Sequence, residues 1–164
     1  MPSLVIRPAR AADYPGVARL MMQLQAHHAA FRPDKFRAAW PKCPQEEFCA
    51  GLQKPDNYWL VAADAYNRVL GYAYCQRFGW EASGNLVAGA ILVMDELCVD
   101  ETCRGRGIGK ALVQAAKDLA VRLRVNSLEL QVWEDNPGAA RFYESCGMGV
   151  QRRRMEWRVC GGGR

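Results

Sequence analysis

The chain has 164 residues and a formal net charge of +5; half of its residues are hydrophobic and 24% are charged. That size suits one domain able to bury roughly 70% of its unfolded surface, and the mixture argues against disorder. No apolar run approaches the about 20 residues of a membrane-spanning helix, and Met1-Pro2-Ser3 leads into a strand pattern rather than a secretory signal. The expectation is a single domain over residues 1–160 with a loose tail at 161–164.

Seven cysteines, Cys43, Cys49, Cys75, Cys98, Cys103, Cys146 and Cys160, form no C-x-x-C pair, and the only histidines are the neighbours His27 and His28. Such spacing builds neither a zinc site nor a disulfide framework. No metal is therefore expected, and the thiols read as reduced, in the cytoplasm.

In chain order, Leu4-Val5-Ile6-Arg7 predicts a first strand. Residues 11 to about 30 predict a helix, with Val17, Leu20, Met21 and Leu24 on one stripe. Residues 31–44 are irregular, and 45–52 predict a short second helix. Strands follow over 57–65 and 69–80, joined by the turn residues Tyr66-Asn67-Arg68. A loop covers 81–89 and an apolar strand 90–99. Ile108, Ala111, Leu112, Ala115, Leu119 and Leu123 then fall at helical spacing, and Leu128, Leu130 and Val132 alternate as in a strand. Asn136-Pro137 opens another helix: Asn caps well, Pro suits the first helical position, and Gly147 suits the stop. A terminal strand over 152–159 would send Arg152, Arg153 and Arg154 to opposite faces. With no basic stripe and no recognition motif, nucleic acid is not expected as a partner.

The most informative segment is Arg104-Gly105-Arg106-Gly107-Ile108-Gly109-Lys110, between the 90–99 strand and the following helix. A helix start leaves about four amide N–H groups unpaired at the positive end of its dipole. Glycines let a ligand reach those amides, and arginines add full charges, so the segment suits a phosphate or pyrophosphate. It is not a P-loop, which needs Gly where Arg104 stands and Ser or Thr where Ala111 stands. It is not a dinucleotide fingerprint either, which needs a third Gly where Lys110 or Leu112 stands.

What remains is Arg/Gln-x-x-Gly-x-Gly/Ala, met by Arg104, Gly107 and Gly109. Here the chain resembles the GNAT superfamily of N-acetyltransferases. A second segment, Asn136-Pro137-Gly138-Ala139-Ala140-Arg141-Phe142-Tyr143-Glu144-Ser145-Cys146-Gly147-Met148, resembles the family's N-x-x-A-x-x-F-Y-x-x-x-G-F pattern, with Met148 in place of the usual Phe. The resemblance covers residues 90–150 strongly and the N-terminal half in layout.

It implies an α/β GNAT fold: a mixed, mostly antiparallel sheet of six or seven strands with helices on both faces, splayed at a coenzyme A cleft. It implies acetyl-CoA as cosubstrate and N-acetyl transfer to an amine of a small molecule or peptide. The backbone of Leu97, Cys98 and Val99 would hold pantetheine and the acetyl group. Arg104, Gly105, Arg106, Gly107, Ile108, Gly109 and Lys110 would hold the pyrophosphate. Asn136 would touch the cofactor, or serve only as a cap. Tyr143 lies about 10 Å along the helix from Asn136, where the sulfur should end. It would donate to the leaving thiolate, or else only fill the core. Asp95, with Glu96 second, would orient the acceptor ammonium or pass its proton to water, or simply pair with a nearby cation. Some ribosomal-protein acetyltransferases carry Glu where this chain has Gln131, so their mechanism does not transfer directly.

Residues 27–49 commonly border the acceptor in this fold and supply His27, His28, Phe31, Asp34, Trp40, Glu46 and Glu47 here. They leave polyamines, aminoglycosides, amino acids and protein amino termini open. A homodimer and a catalytically silent acyl-CoA-binding module also stay open.

Overall fold

The computed structural model describes residues 4–38 and 43–158. Five strands, β1 (Val5–Pro8), β2 (Asn57–Ala63), β3 (Val69–Trp80), β4 (Gly89–Val99) and β5 (Ser127–Leu130), form one sheet in the order β1-β2-β3-β4-β5. The first three pairings are antiparallel, and β4 pairs with β5 in parallel. A parallel pair needs a long crossover, which the helix α3 (Ile108–Arg122) supplies.

Helices cover both faces. On one, α1 (Tyr14–Phe31) and α2 (Gln45–Leu52) bring Val17, Leu20, Met21 and Phe48 onto Trp59, Val61, Val69, Tyr72 and Cys98. On the other, α3 sets Ile108, Leu112, Val113, Ala116 and Leu119 against Leu60, Ala62, Ala73, Cys75, Leu92 and Met94. Phe142, Tyr143 and Cys146 of the α4 region (Pro137–Ser145) pack at the margin of this second core. The helical stripes read from sequence are thus the buried faces. The 66–68 turn closes as expected, with the Asp64 carboxylate accepting the N–H groups of Tyr66 and Arg68, both at 2.9 Å.

Against the expected six or seven strands, the described residues form five. Residues 151–158 pair with no strand among the described residues, and Met155 and Trp157 stand 88% and 85% exposed. Three consecutive arginines leave neither face of that segment apolar, so burial does not drive it onto the sheet. The expectation that Arg152, Arg153 and Arg154 alternate between sheet faces therefore has no strand to rest on. Val159, Cys160, the 161–164 tail, Trp40 and the first three residues lie outside the described residues. Among the described residues, no helix is long and apolar enough to cross a membrane, and no group of three or more His, Cys, Asp or Glu is placed to hold a metal.

One irregularity positions the site. Tyr74 stands opposite Glu96 while Cys75 stands opposite Met94, so Asp95 is the extra residue of a β-bulge in β4. A bulge shifts the side-chain alternation by one. Leu92 and Met94 face the α3 core; past the bulge that face takes Leu97 and Val99, and Cys98 joins the α1–α2 core. Asp95 shares odd numbering with Leu97 and Val99, but as the extra residue it stands outside the alternation. Asp95 is exposed at the bulge, and Glu96 is buried on the α1–α2 side.

Candidate active site

β5 ends at Leu130, opposite Met94 of β4. The expected strand to Val132 is therefore two residues too long, and the last five residues of β4, 95–99, have no strand beside them on that side among the described residues. β3 holds their other edge, from Tyr74 to Gly71. This is the splay expected of the cleft. Its exposed backbone edge can accept an extended ligand as an added strand.

Beyond β4 the chain makes a short turn of helix, Glu101–Cys103, and then the glycine segment. Gly105 and Gly107 adopt φ of +76° and +79°, a conformation costly for residues with a Cβ. Gly107 is the N-cap of α3. The first intrahelical bond of this end runs from the Ala111 N–H to the Gly107 carbonyl at 3.0 Å. The amides of residues 105–110 have no acceptor among the described residues. Arg104, Arg106 and Lys110 are exposed around them. Unpaired amides at a helix start within a ring of cations match the charge and hydrogen-bonding needs of a pyrophosphate.

Not every residue of the expected cradle faces that site. Ile108 is buried in the α3 core, and the small side of Gly109 abuts the Phe142 ring, where an added Cβ would sit 3.0 Å from Cζ. Their amides belong to the cradle; their side-chain positions belong to packing. The Cys98 thiol likewise donates into the α1 side, 3.4 Å from the Leu20 carbonyl, and burial pushes it up to about 12. Only the backbone of Cys98 is available to the cleft. Arg104 Nε donates to the Val99 carbonyl at 3.4 Å, tying the cradle to the strand end.

The far wall is the start of α4. Asn136 Oδ1 accepts the Ala139 N–H at 3.2 Å, so the cap read from sequence is present. With Oδ1 so engaged, Nδ2 donates to His27 Nε2 at 3.2 Å and joins the end of α1 to the start of α4. The Phe31 ring lies edge-on to His27 and His28 at 5.5 and 5.7 Å. Asp34 pairs with Arg32 at 2.8 Å, and Arg32 and Lys35 both lie over the Trp133 ring. Glu46 and Glu47 sit exposed in the first turn of α2.

Tyr143 lies two helical turns into α4, with its ring 5.1 Å from Phe142. Its hydroxyl has no hydrogen-bond partner among the described residues, and burial pushes its ionisation up to about 12. It remains a proton donor across the neutral range. Glu96 accepts a 2.5 Å hydrogen bond from the Tyr72 hydroxyl, a partner that sequence reasoning did not find. The alternation of β3 puts Tyr72 and Tyr74 on one face, but the contact with Glu96 depends on register across the bulge.

Residues 21–148 match the acetyltransferase (GNAT) family. The chain belongs to this family, whose members use acetyl-CoA. An uncharacterized N-acetyltransferase of Methanocaldococcus jannaschii is 30% identical over 96 residues, 58% of this chain; the match spans only 41% of that protein's length. A tetramutant of the BH1408 protein from Bacillus halodurans is 32% identical, with a TM-score of 0.89 over 94% of this chain and 99% of that one. An aminoglycoside N-acetyltransferase, AAC(6')-Iy, solved in complex with CoA, shares the fold at a TM-score of 0.72 and 16% identity, over 98% of this chain and 97% of that one.

Proposed function

We propose that this chain, as a single domain over residues 1–160, moves the acetyl group of acetyl-CoA onto a primary amine of a small molecule or peptide by direct attack in a ternary complex. The observation that carries the proposal is the joining of two features: the unpaired amides of residues 105–110 and the open edge of β4 at residues 95–99. Arg104, Gly105, Arg106, Gly107, Ile108, Gly109 and Lys110 hold the pyrophosphate. The backbone of Leu97, Cys98 and Val99 takes pantetheine as an added strand, and a β4 amide receives the oxyanion. Asn136 contacts the cofactor from the far wall while still capping α4. Seven cysteines with no C-x-x-C spacing suit a reducing cytoplasm.

The neutral amine attacks the thioester carbonyl carbon, the C–S bond breaks, and the thiolate leaves. An alkylammonium near pKa 10 gives its proton to a carboxylate near 4 only at a cost of about 8 kcal/mol. Asp95 or Glu96 therefore orients the ammonium and relays to water its proton before attack, and then the N–H proton that the nitrogen sheds once the C–N bond has formed. Full transfer from Tyr143, at about 12, to a thiolate of pKa about 8.5 is uphill by about 5 kcal/mol. Tyr143 thus acts by hydrogen bonding to the sulfur as charge develops, and the proton the thiol finally carries comes from solvent.

Isothermal titration with CoA, followed by a thiol-release screen with acetyl-CoA over polyamines, aminoglycosides, amino acids and peptides, tests this. Micromolar binding and acceptor-dependent release are expected. Binding without release from any acceptor would make the chain a silent acyl-CoA-binding module. No binding at millimolar CoA would overturn the reading.

A further inference from the structure

We infer that Tyr72 is a positioning residue of this site: its hydroxyl holds the Glu96 carboxylate on the α1–α2 face, where the acceptor enters, and makes Glu96 rather than Asp95 the carboxylate that meets the amine. The inference rests on the acetyl-transfer reading above and goes beyond it by separating the two acidic neighbours.

The separation begins with the bulge. Without it, β4 would aim Glu96 with Leu92 and Met94 into the α3 core; with Asp95 as the extra residue, Glu96 turns instead to the side of α1 and α2. The two ends of the segment expected to border the acceptor, residues 27–31 and 45–49, belong to those same two helices. Glu96 is 6% exposed there, and a carboxylate so far out of water requires a donor. Tyr72, two residues along β3 from Tyr74, the residue opposite Glu96, supplies one at 2.5 Å.

Tyr72 is itself immobilised. It is fully buried, its ring stacks on Trp59 at 6.0 Å, Trp59 meets Phe48 at 5.0 Å, and Phe48 meets Tyr14 at 5.5 Å. An aromatic tier thus runs from α1 through α2 to the sheet and fixes the phenol before any ligand arrives. Burial, and next the Glu96 charge, push the Tyr72 phenol well above its ordinary value, so it stays protonated and donating through the neutral range.

A double-mutant cycle decides the matter, read as thiol release from acetyl-CoA with spermidine, kanamycin and glycylglycine as acceptor probes. Tyr72→Phe should lower kcat/KM for the acceptor by about tenfold or more while leaving the KM for acetyl-CoA within about twofold. In a Glu96→Gln background the same change should cost less than about twofold, and in an Asp95→Asn background it should keep its full effect. Glu96→Asp, which draws the carboxylate one methylene away from the phenol, should reproduce the Tyr72→Phe loss even if that variant folds poorly. Equal loss in the parent and Glu96→Gln backgrounds would make Tyr72 a packing residue only and overturn the inference. So would a silent Glu96→Gln beside an inactive Asp95→Asn, or a parent that binds CoA yet releases no thiol with any probe. Failure of the parent to bind CoA would instead strike the acetyl-transfer reading itself.

Discussion

Replacing Gly107 and Gly109, one at a time, by alanine applies the same chemical change to two glycines of one segment, with opposite expected results. At Gly107 an added Cβ meets nothing within 4 Å, so sterics outside the residue cost nothing; the penalty comes from φ of +79°. A non-glycine residue there costs about 1–2 kcal/mol, or about 2–8 °C in Tm for a chain of this size. If the backbone escapes the strain by moving to negative φ, the amides at the start of α3 turn away. Losing one or two charge-assisted hydrogen bonds worth about 1.5–3 kcal/mol each lowers CoA affinity by about tenfold or more. At Gly109, inside the helix, alanine gains roughly 1 kcal/mol of helix propensity. Its Cβ would sit 3.0 and 3.3 Å from two Phe142 ring atoms, so that half-buried ring must give by a few tenths of an ångström. The two terms offset, and Tm should stay within about 2 °C, with CoA affinity within about threefold. Differential scanning fluorimetry and titration calorimetry on the two variants check this. Unchanged melting and CoA affinity in Gly107→Ala, or the same loss of affinity in both, would refute the assignment of the Gly107 backbone to the phosphates.

Tyr143→Phe should lower kcat by on the order of 100-fold, with CoA affinity unchanged in calorimetry; unchanged turnover would leave Tyr143 as a core residue. Because its hydroxyl is pushed up to about 12, no limb of the parent's pH–rate profile below about pH 10 should vanish in that variant. Asn136→Ala removes both the cap on Ala139 and the contact to His27, and should cost about 1 kcal/mol, read as a fall of about 2–4 °C in Tm. Thr102 and Arg19 hold Asp100 down to about 2 in the folded state, below its ordinary 3.8. Its contribution is therefore complete above about pH 4 and is lost as the pH falls toward 2. Calorimetric melts between pH 2 and 6 should show Asp100→Asn with a shallower acid decline than the parent.

The parts of the fold legible in the sequence are those where local physics and tertiary packing agree. The spacing of Ile108, Leu112 and Leu119 is the buried stripe of α3, and Asn136-Pro137 caps α4 with the geometry its composition dictates. The glycines flanking Arg106 take the left-handed angles that only glycine takes cheaply. Illegible parts depend on partners distant in the chain. The run from Ala90 to Val99 alternates nothing that marks a bulge, because both faces of β4 are covered and apolar residues suit either. The Tyr72–Glu96 bond joins residues 24 apart and exists only at one register. The sequence predicts a terminal strand over 152–159, but Arg152, Arg153 and Arg154 offer no surface worth burying. Alternation predicts strand through Val132, whereas pairing with β4 stops at Leu130.

The single extra residue in β4 has a consequence for how mutations should be borne along that strand. Upstream of it, polar replacements at even-numbered positions such as Leu92 and Met94 strike the α3 layer; downstream, the same layer is struck at odd-numbered positions, Leu97 and Val99. A saturation survey of the strand would therefore show the positions that disturb the α3 layer change from even to odd at Asp95. Deleting that one codon would bring the two halves back into phase with each side chain still on its own face, Glu96 and Cys98 toward α1 and α2, Leu97 and Val99 toward α3.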